Sequence, residues 1–421
     1  MGGLARRVSY IKAFMQRSNM EVPTLFADAG NLFTDDRFSA DRLPAEVMTK
    51  NQWVVKGYAD FHQDVANISF NDLPYVAELL KKDGYDQRLD TYPFIRKLIS
   101  ANIEPADDAH KAPDPYLIRE VTLKRTAAGK KVRVGFVGLT EAKPTGPNQS
   151  ESLYAGYRIK DVFETARRVI PEVKQKADLV VVLAYVTQDV AQRLASEIPD
   201  IDTVIVGRQM SLMNEPEHFG RATITYAYNQ TKFLGELRYY LRGDGSVENQ
   251  LNRYVGLDAD IPDDPQAAEI VTTAHNDFTN AQKSSMDNPP QPQSQAAPSQ
   301  DSPYVGASTC MACHTEQYAV WEKSGHAHAM ATLERKSQQF DNECVRCHVV
   351  GFNNGGFQSL ISTPQLANVQ CEACHGPGRA HAAAPAKGFG FMQTPTGCVQ
   401  CHTQANSPDF NFATYWPKIK H

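Results

Sequence analysis

The sequence predicts two folds in series: a layered α/β sandwich, then a small, mostly helical and irregular module. Three observations carry this reading. Short apolar runs rich in β-branched residues alternate with helical patterns over residues 1–280. A stretch rich in Pro, Gln and Ser, with almost nothing apolar to bury, occupies 281–302. All eight cysteines fall after it, within 303–421.

In the first segment, Val22-Pro23-Thr24-Leu25-Phe26-Ala27 reads as a short buried strand, ended by the turn Asp28-Ala29-Gly30. Residues 132–137, 179–183 and 203–206 read as further strands, each bounded by turn or charged residues. Helical patterns cover 160–176 and 187–197. Strands alternating with helices imply layered α/β architecture. Residues 222–228 and 233–241 have no helix between them, so antiparallel strands are expected there. The segment around Asn288-Pro289-Pro290-Gln291-Pro292-Gln293 reads as a flexible, semi-extended linker. The final 303–421 has few strand or long-helix signals and should have a weak core by itself.

The 421 residues are 42% hydrophobic and 22% charged, ordinary for a soluble globular protein. A net charge of -5 gives no electrostatic case for nucleic acid or an anionic membrane as partner. No apolar run approaches the roughly 18 to 20 residues that span a bilayer, so no transmembrane segment is expected. The start, Met1-Gly2-Gly3-Leu4-Ala5-Arg6-Arg7, is basic, but Ser9, Tyr10 and Lys12 break up residues 8–15, and it does not read as a secretory signal.

The cysteines form four copies of one pattern: Cys310-Met311-Ala312-Cys313-His314, Cys344-Val345-Arg346-Cys347-His348, Cys371-Glu372-Ala373-Cys374-His375 and Cys398-Val399-Gln400-Cys401-His402. Covalent attachment of haem c needs two thiols for the two vinyl groups and a histidine for the iron. Two residues between the cysteines let both thiols reach one porphyrin edge, and the adjoining histidine falls beneath the metal. Paired Cys-x-x-Cys units also make structural zinc sites. Zinc gives no reason for a histidine after every pair, and a disulfide scaffold gives none for any of them. Four copies that use every cysteine predict four covalently attached haem c groups, whose faces supply the missing core.

Each iron has a sixth position. Outside the motifs the module offers His326, His328, His381 and His421. His326 and His328 sit at an expected helix start. Residues two apart on a helix point about 200° from one another, so the two either serve different haems or one faces solvent. His326 is the favoured ligand. Gly376-Pro377-Gly378 ends any helix after the third motif, so His381 is expected to face a haem other than the one held by His375. His421 reads as a frayed end. Met330 and Met392 are soft ligands in principle but more often core filler. His62, His110, His218 and His275 read as ordinary surface or core histidines.

Residues 304–402 resemble the cytochrome c-554 family of tetrahaem cytochromes. The resemblance rests on the four motifs and on three longer strings: Ser324-Gly325-His326-Ala327-His328-Ala329-Met330, Cys344 to Phe352, and Cys371 to Arg379. It implies closely packed haems relaying electrons, mostly with two histidines per iron. One iron in the type member lacks a sixth protein ligand.

The first segment resembles the 5'-nucleotidase branch of the calcineurin-like metallophosphatases, through Gly2-Gly3-Leu4-Ala5-Arg6-Arg7, Asp28-Ala29-Gly30, Gly57-Tyr58 and residues 178–183. The resemblance implies a sheet sandwich that cradles two metals, held by Asp-x-His, Gly-Asp, Gly-Asn-His-Glu, Ser-His and Gly-His-x-His motifs. Here the chain starts after the first of these. Asn31 follows Gly30, Asp64-Val65-Ala66-Asn67-Ile68-Ser69 keeps only an Asn, Ala184-Tyr185 stands at Ser-His, and Gly207-Arg208-Gln209-Met210 replaces the last. A two-metal site needs several oxygen and imidazole ligands. The expectation is a metallophosphatase-like scaffold without phosphatase chemistry.

The function expected is electron transfer by an extracytoplasmic multihaem cytochrome, with other cytochromes or a quinol-linked donor as redox partners. Two alternatives stand beside it: a bifunctional hydrolase of nucleotides or phosphate esters, and a haem redox enzyme with one open iron. Haem is attached to Cys-x-x-Cys-His after export, so a periplasmic or cell-surface location is expected, and with it a longer precursor carrying an export signal and the first strand.

Overall fold

The computed structural model describes residues 3–18, 22–33, 43, 45–61, 63–123, 129–142, 153–208, 216–227, 232–242, 246–287, 302–336, 338–339, 342–352, 354–360, 363–390, 396–403 and 406–421. The chain divides into two compact units, Met1–Asn276 and Asp277–His421.

The first unit runs α1 (Leu4–Arg17), β1 (Ala27–Asp28), α2 (Ala45–Asp60), β2 (Val65–Asn67), α3 (Leu73–Leu80), α4 (Tyr85–Thr91), β3 (Leu98–Ile99), β4 (Ile103–Pro105), β5 (Tyr116–Leu123) and β6 (Lys130–Thr140). It continues with β7 (Leu153–Tyr154), β8 (Tyr157–Ile159), α5 (Val162–Lys176), β9 (Leu179–Tyr185), α6 (Gln188–Glu197), β10 (Thr203–Val206), β11 (Glu217–Phe219) and β12 (Ala222–Tyr226). A hairpin of β13 (Phe233–Leu241) and β14 (Val247–Gly256) precedes α7 (Pro265–Asp287). The division between the units therefore falls inside α7. Residues 281–287 of the expected linker belong to this helix, and 288–301 lie outside the described residues.

Two sheets face each other. One is parallel, in the order β1-β2-β3. The other runs β11-β12-β10-β9-β6-β5, with a parallel centre and antiparallel edges. Alternation along the strands sorts side chains between the faces. Val137, Val180, Val182 and Val204 pack with α5 and α6. Val134, Phe136, Val181 and Leu183 point the other way, toward Val65 and Ile99 of the smaller sheet. On that sheet's outer side, Ala66 and Ile68 pack with Val55 of α2 and Val76 of α3. The result is four layers, helix–sheet–sheet–helix.

Two expectations are corrected. The first strand is Ala27–Asp28 rather than 22–27. Pro23 has no donor, Val22 is 45% exposed, and the Phe26 N–H is taken by the Asp64 carboxylate at 2.8 Å. Residues 222–226 and 233–241 are strands, but they do not pair with each other: β12 runs parallel to β10 and antiparallel to β11, whereas β13 pairs with β14.

The sheets approach most tightly at Gly138. A Cβ there would lie 2.5 Å from Asn67 Oδ1 and 2.7 Å from the Ile99 carbonyl. Asn67 is fully buried and bridges the layers, its Nδ2 donating to the Leu139 carbonyl at 3.0 Å.

The second unit consists of short pieces: α8 (Ala307–Met311), α9 (Thr315–Glu322), α10 (Ala329–Glu334), α11 (Asn342–Val345), α12 (Cys371–His375), α13 (Arg379–Ala383) and α14 (Phe412–Tyr415). Its own apolar core is small, built around Tyr304, Met330, Leu333, Val345, Val350 and Phe357.

Because backbone closes on Gly138 from the facing sheet, Gly138→Ala is expected to destabilise the first unit by about 1–3 kcal/mol through overpacking. Urea unfolding of the whole chain by far-ultraviolet circular dichroism measures this. The Soret band, which reports the second unit, should unfold at its parent midpoint.

Candidate haem centres and the strand-end crevice

Each Cys-x-x-Cys-His motif forms a single tight turn. The His314 N–H donates to the Cys310 carbonyl at 2.9 Å, and the His402 N–H to the Cys398 carbonyl at 2.9 Å. The Cys347 N–H reaches the Cys344 carbonyl at 3.2 Å, and the third motif is helix α12 itself. In such a turn the second cysteine and the histidine follow the first by three and four residues. All three side chains therefore share one face.

Three motif histidines each face a second imidazole. Ring centroids are 6.3 Å apart for His314 and His381, 6.1 Å for His402 and His326, and 5.8 Å for His375 and His421. An iron about 2 Å from one nitrogen of each ring puts the two centroids about 6 Å apart. The residues present therefore fit a metal gripped from both sides. For His348 no facing imidazole is found among the described residues.

The other ring nitrogen is engaged in several of these rings. His348 Nδ1 lies 2.7 Å from the Ala329 carbonyl, His402 Nδ1 3.1 Å from Ser407 Oγ, and His421 Nδ1 3.0 Å from the Ile419 carbonyl. His375 Nδ1 meets the Gly390 carbonyl. Gly390 has φ 72°, and a Cβ there would sit 2.8 Å from the His375 Cβ, so glycine is what lets that carbonyl approach. An Nδ1–H donated to oxygen leaves Nε2 as the ligating atom, the arrangement that orients metal-bound histidines. Burial, and then the nearby His402 and His348, hold His326 below its ordinary pKa, so it is neutral and able to ligate.

Among the expected ligands, His326 and His381 thus stand opposite motif histidines, and His381 faces His314 rather than His375. His328 is exposed and faces no motif histidine among the described residues. His421, read as frayed, faces His375 instead. The Trp416–Lys418 turn, with the Ile419 and Lys420 N–H groups donating to the Trp416 carbonyl, brings the chain back to it. Met330 is buried core, while Met392 and His62 lie outside the described residues. His110 pairs with Asp107 at 2.8 Å and His218 with Thr223 at 3.2 Å.

Cysteines from different motifs also meet. Cys310 lies beside Cys371, Cys347 beside Cys401, and Cys374 near Cys398. The four motifs therefore adjoin in the order first, third, fourth, second.

In the first unit, the carboxyl ends of the parallel strands form the crevice where such folds place ligands. Asn31 stands there at φ 67°, and its Oδ1 accepts from Asn71 Nδ2 at 3.0 Å. Asn71 also reaches the Tyr185 hydroxyl at 3.4 Å. The Arg208 guanidinium lies 5.4 Å from the Phe70 ring centre and 3.3 Å from the Glu141 carboxylate. Asp28 is engaged by the Tyr58 hydroxyl at 2.8 Å, a phenol kept neutral by burial. Two divalent metals need several carboxylate and imidazole donors. The two carboxylates here, Asp28 and Glu141, are engaged by Tyr58 and Arg208, and no group of His, Cys, Asp or Glu able to hold a metal is found among the described residues, so the site does not fit two metals.

Residues 309–376 match the family described as "Cytochrome c554 and c-prime". Cytochrome c-554 of Nitrosomonas europaea is 38% identical over 95 residues, covering 19% of this chain and 40% of that protein. The 2',3'-cyclic-nucleotide 2'-phosphodiesterase/3'-nucleotidase of Salmonella typhimurium is 27% identical over 172 residues, covering 36% of this chain and 26% of that protein. The chain thus spans less than half the length of either relative. The sulfate thiohydrolase SoxB of Thermus thermophilus, solved in complex with glycerol, superposes with a TM-score of 0.52 at 16% identity, over 66% of this chain and 48% of that one. Calcineurin-like phosphoesterase YfkN of Bacillus subtilis gives 0.50 at 19% identity, over 66% and 89%. The first unit therefore has the mixed α/β fold of the calcineurin-like metallophosphatases, and the second resembles the cytochrome c-554 family.

Proposed function

We propose that this chain is an extracytoplasmic electron-transfer protein, carrying four covalently attached haem c groups on its second unit. The observation that carries the reading is the set of three imidazole pairs at iron-bridging separation. When bound, haem supplies reversible one-electron storage. The chain's residues would supply the rest: thioether attachment through the eight cysteines, axial ligation, and imidazoles oriented by hydrogen bonds at Nδ1. The neighbouring cysteines support a continuous path through the four attachment sites, with motifs one and two at its ends. Other cytochromes or a quinol-linked donor suit such a path. The location follows from haem attachment chemistry, and no helix among the described residues is long and apolar enough to cross a membrane.

The first unit serves in this reading as a non-catalytic scaffold or docking module. Its crevice presents Arg208 and Tyr185 where metal-binding relatives would need ligands. A second reading, a redox enzyme with an open iron, is favoured by one observation: His348 faces no imidazole among the described residues.

Mass spectrometry with a pyridine haemochrome assay should find four haems per chain. A protein holding zinc and no haem contradicts the proposal. The reduced protein should bind about one carbon monoxide, at the iron held by His348. His421→Ala should raise this by one and add a high-spin signal, whereas His328→Ala should change neither. Purified protein supplied with divalent metals should not hydrolyse nucleotide monophosphates. Chelator-sensitive turnover would restore the hydrolase alternative.

A further inference from the structure

The third motif differs from the others in the residue after its first cysteine. Met311, Val345 and Val399 are apolar at this position, whereas the third motif has Glu372. A carboxylate between two haem-attaching cysteines sits in an expensive place unless it is fully bonded. Glu372 is 5% exposed. Its Oε1 accepts from the Val305 N–H at 3.0 Å and the Gly378 N–H at 2.7 Å. Its Oε2 accepts from the Gly306 N–H at 2.7 Å and the Val305 N–H at 3.1 Å. Every one of these partners is a donor, the environment that suits an ionised carboxylate. Among the described residues it forms no ion pair with Lys, Arg or His.

These bonds tie three segments together. Gly306 precedes α8, which carries Cys310. Glu372 lies within α12, which carries Cys371, Cys374 and His375. Gly378 precedes α13, which carries His381. Gln370, also buried, reinforces the joint, its Oε1 accepting from the Ala307 N–H at 2.6 Å. Because Cys310 lies beside Cys371, the attachment edges of the first and third haems would both lie near the carboxylate.

We propose that Glu372 is a charge-placing residue that lowers the reduction potential of the haem attached through Cys371 and Cys374. A ferric haem carries one more positive charge than a ferrous one. A buried, unscreened anion beside it favours the ferric form, and burial weakens that field far less than water would. The backbone donors hold the charge in place without neutralising it by a formal cation. The inference rests on haem attachment at the third motif.

The test is spectroelectrochemical titration of the whole chain after mass spectrometry has counted its haems. Glu372→Gln keeps the shape and removes the charge. It should raise the midpoint of the haem at Cys371 and Cys374 most, by a tenfold change in the ferric-to-ferrous ratio, about 59 mV for one electron, with the haem count unchanged. Glu372→Asp shortens the arm but keeps the charge, and should retain the parent's potentials. Midpoints of Glu372→Gln that all match the parent's overturn the proposal. So does an equal rise in Glu372→Asp, which assigns the effect to geometry. Should Glu372→Gln load fewer haems, Glu372→Ala is titrated in its place and read in the same way against Glu372→Asp. A parent chain lacking haem at Cys371 and Cys374 instead overturns the attachment reading, and mass spectrometry separates that failure from this one.

Discussion

In the proposed holoprotein one constraint organises the second unit: an imidazole pair would have to meet across a single metal atom. Each pair joins segments far apart in sequence, His314 to His381, His326 to His402 and His375 to His421. Helices here run from four to eight residues, too short to be stable on propensity alone. The apolar core around Tyr304 and Val350 is small. With haem attached as proposed, ligation and thioether bonds would act as the long-range cross-links that a larger core supplies elsewhere. Glycines at Gly351, Gly376 and Gly390 take positive φ values at the turns between these pieces, and at Gly390 the turn also presents a carbonyl to His375.

The first unit obeys a different constraint, close approach of two sheets. Gly138, Asn67 and the Ile99 carbonyl fix that spacing from inside. This scaffold does not depend on what occupies the strand ends. Arg208, Tyr185, Asn31 and Asn71 bond among themselves and with Glu141 and Phe70 there, so a fold shared with metal-dependent phosphoesterases persists with a different donor set. Fold and site are separable in this way because core packing and strand-end chemistry use different residues.

Local chemistry was legible in the sequence, and long-range partnership was not. Cysteine and histidine at positions one, four and five of a turn form a local pattern, so the candidate attachment residues are legible in the sequence. The parallel strands from Leu179 and Thr203 were equally plain, because β-branched runs buried on both faces have few alternatives. Which distal histidine meets which iron depends on the path of the chain through Gly376-Pro377-Gly378 and through the Trp416 turn. No local pattern encodes that path. His421 could have been found by counting, since the module has four spare imidazoles for four motifs, but a terminal residue reads as frayed. Residues 22–26 are mostly apolar, but Pro23 brings no donor and the strand begins only at Ala27. β14, with Glu248, Asn249 and Asn252, carries no apolar run and so gives no local strand signal for the partner of β13.

The proposed haem ligation rests on three imidazole pairs, with no imidazole facing His348 among the described residues. Low-temperature electron paramagnetic resonance of the fully oxidised protein counts spin states directly. The account predicts three low-spin ferric centres and one high-spin centre per chain. Four low-spin centres, or fewer than three, would contradict it.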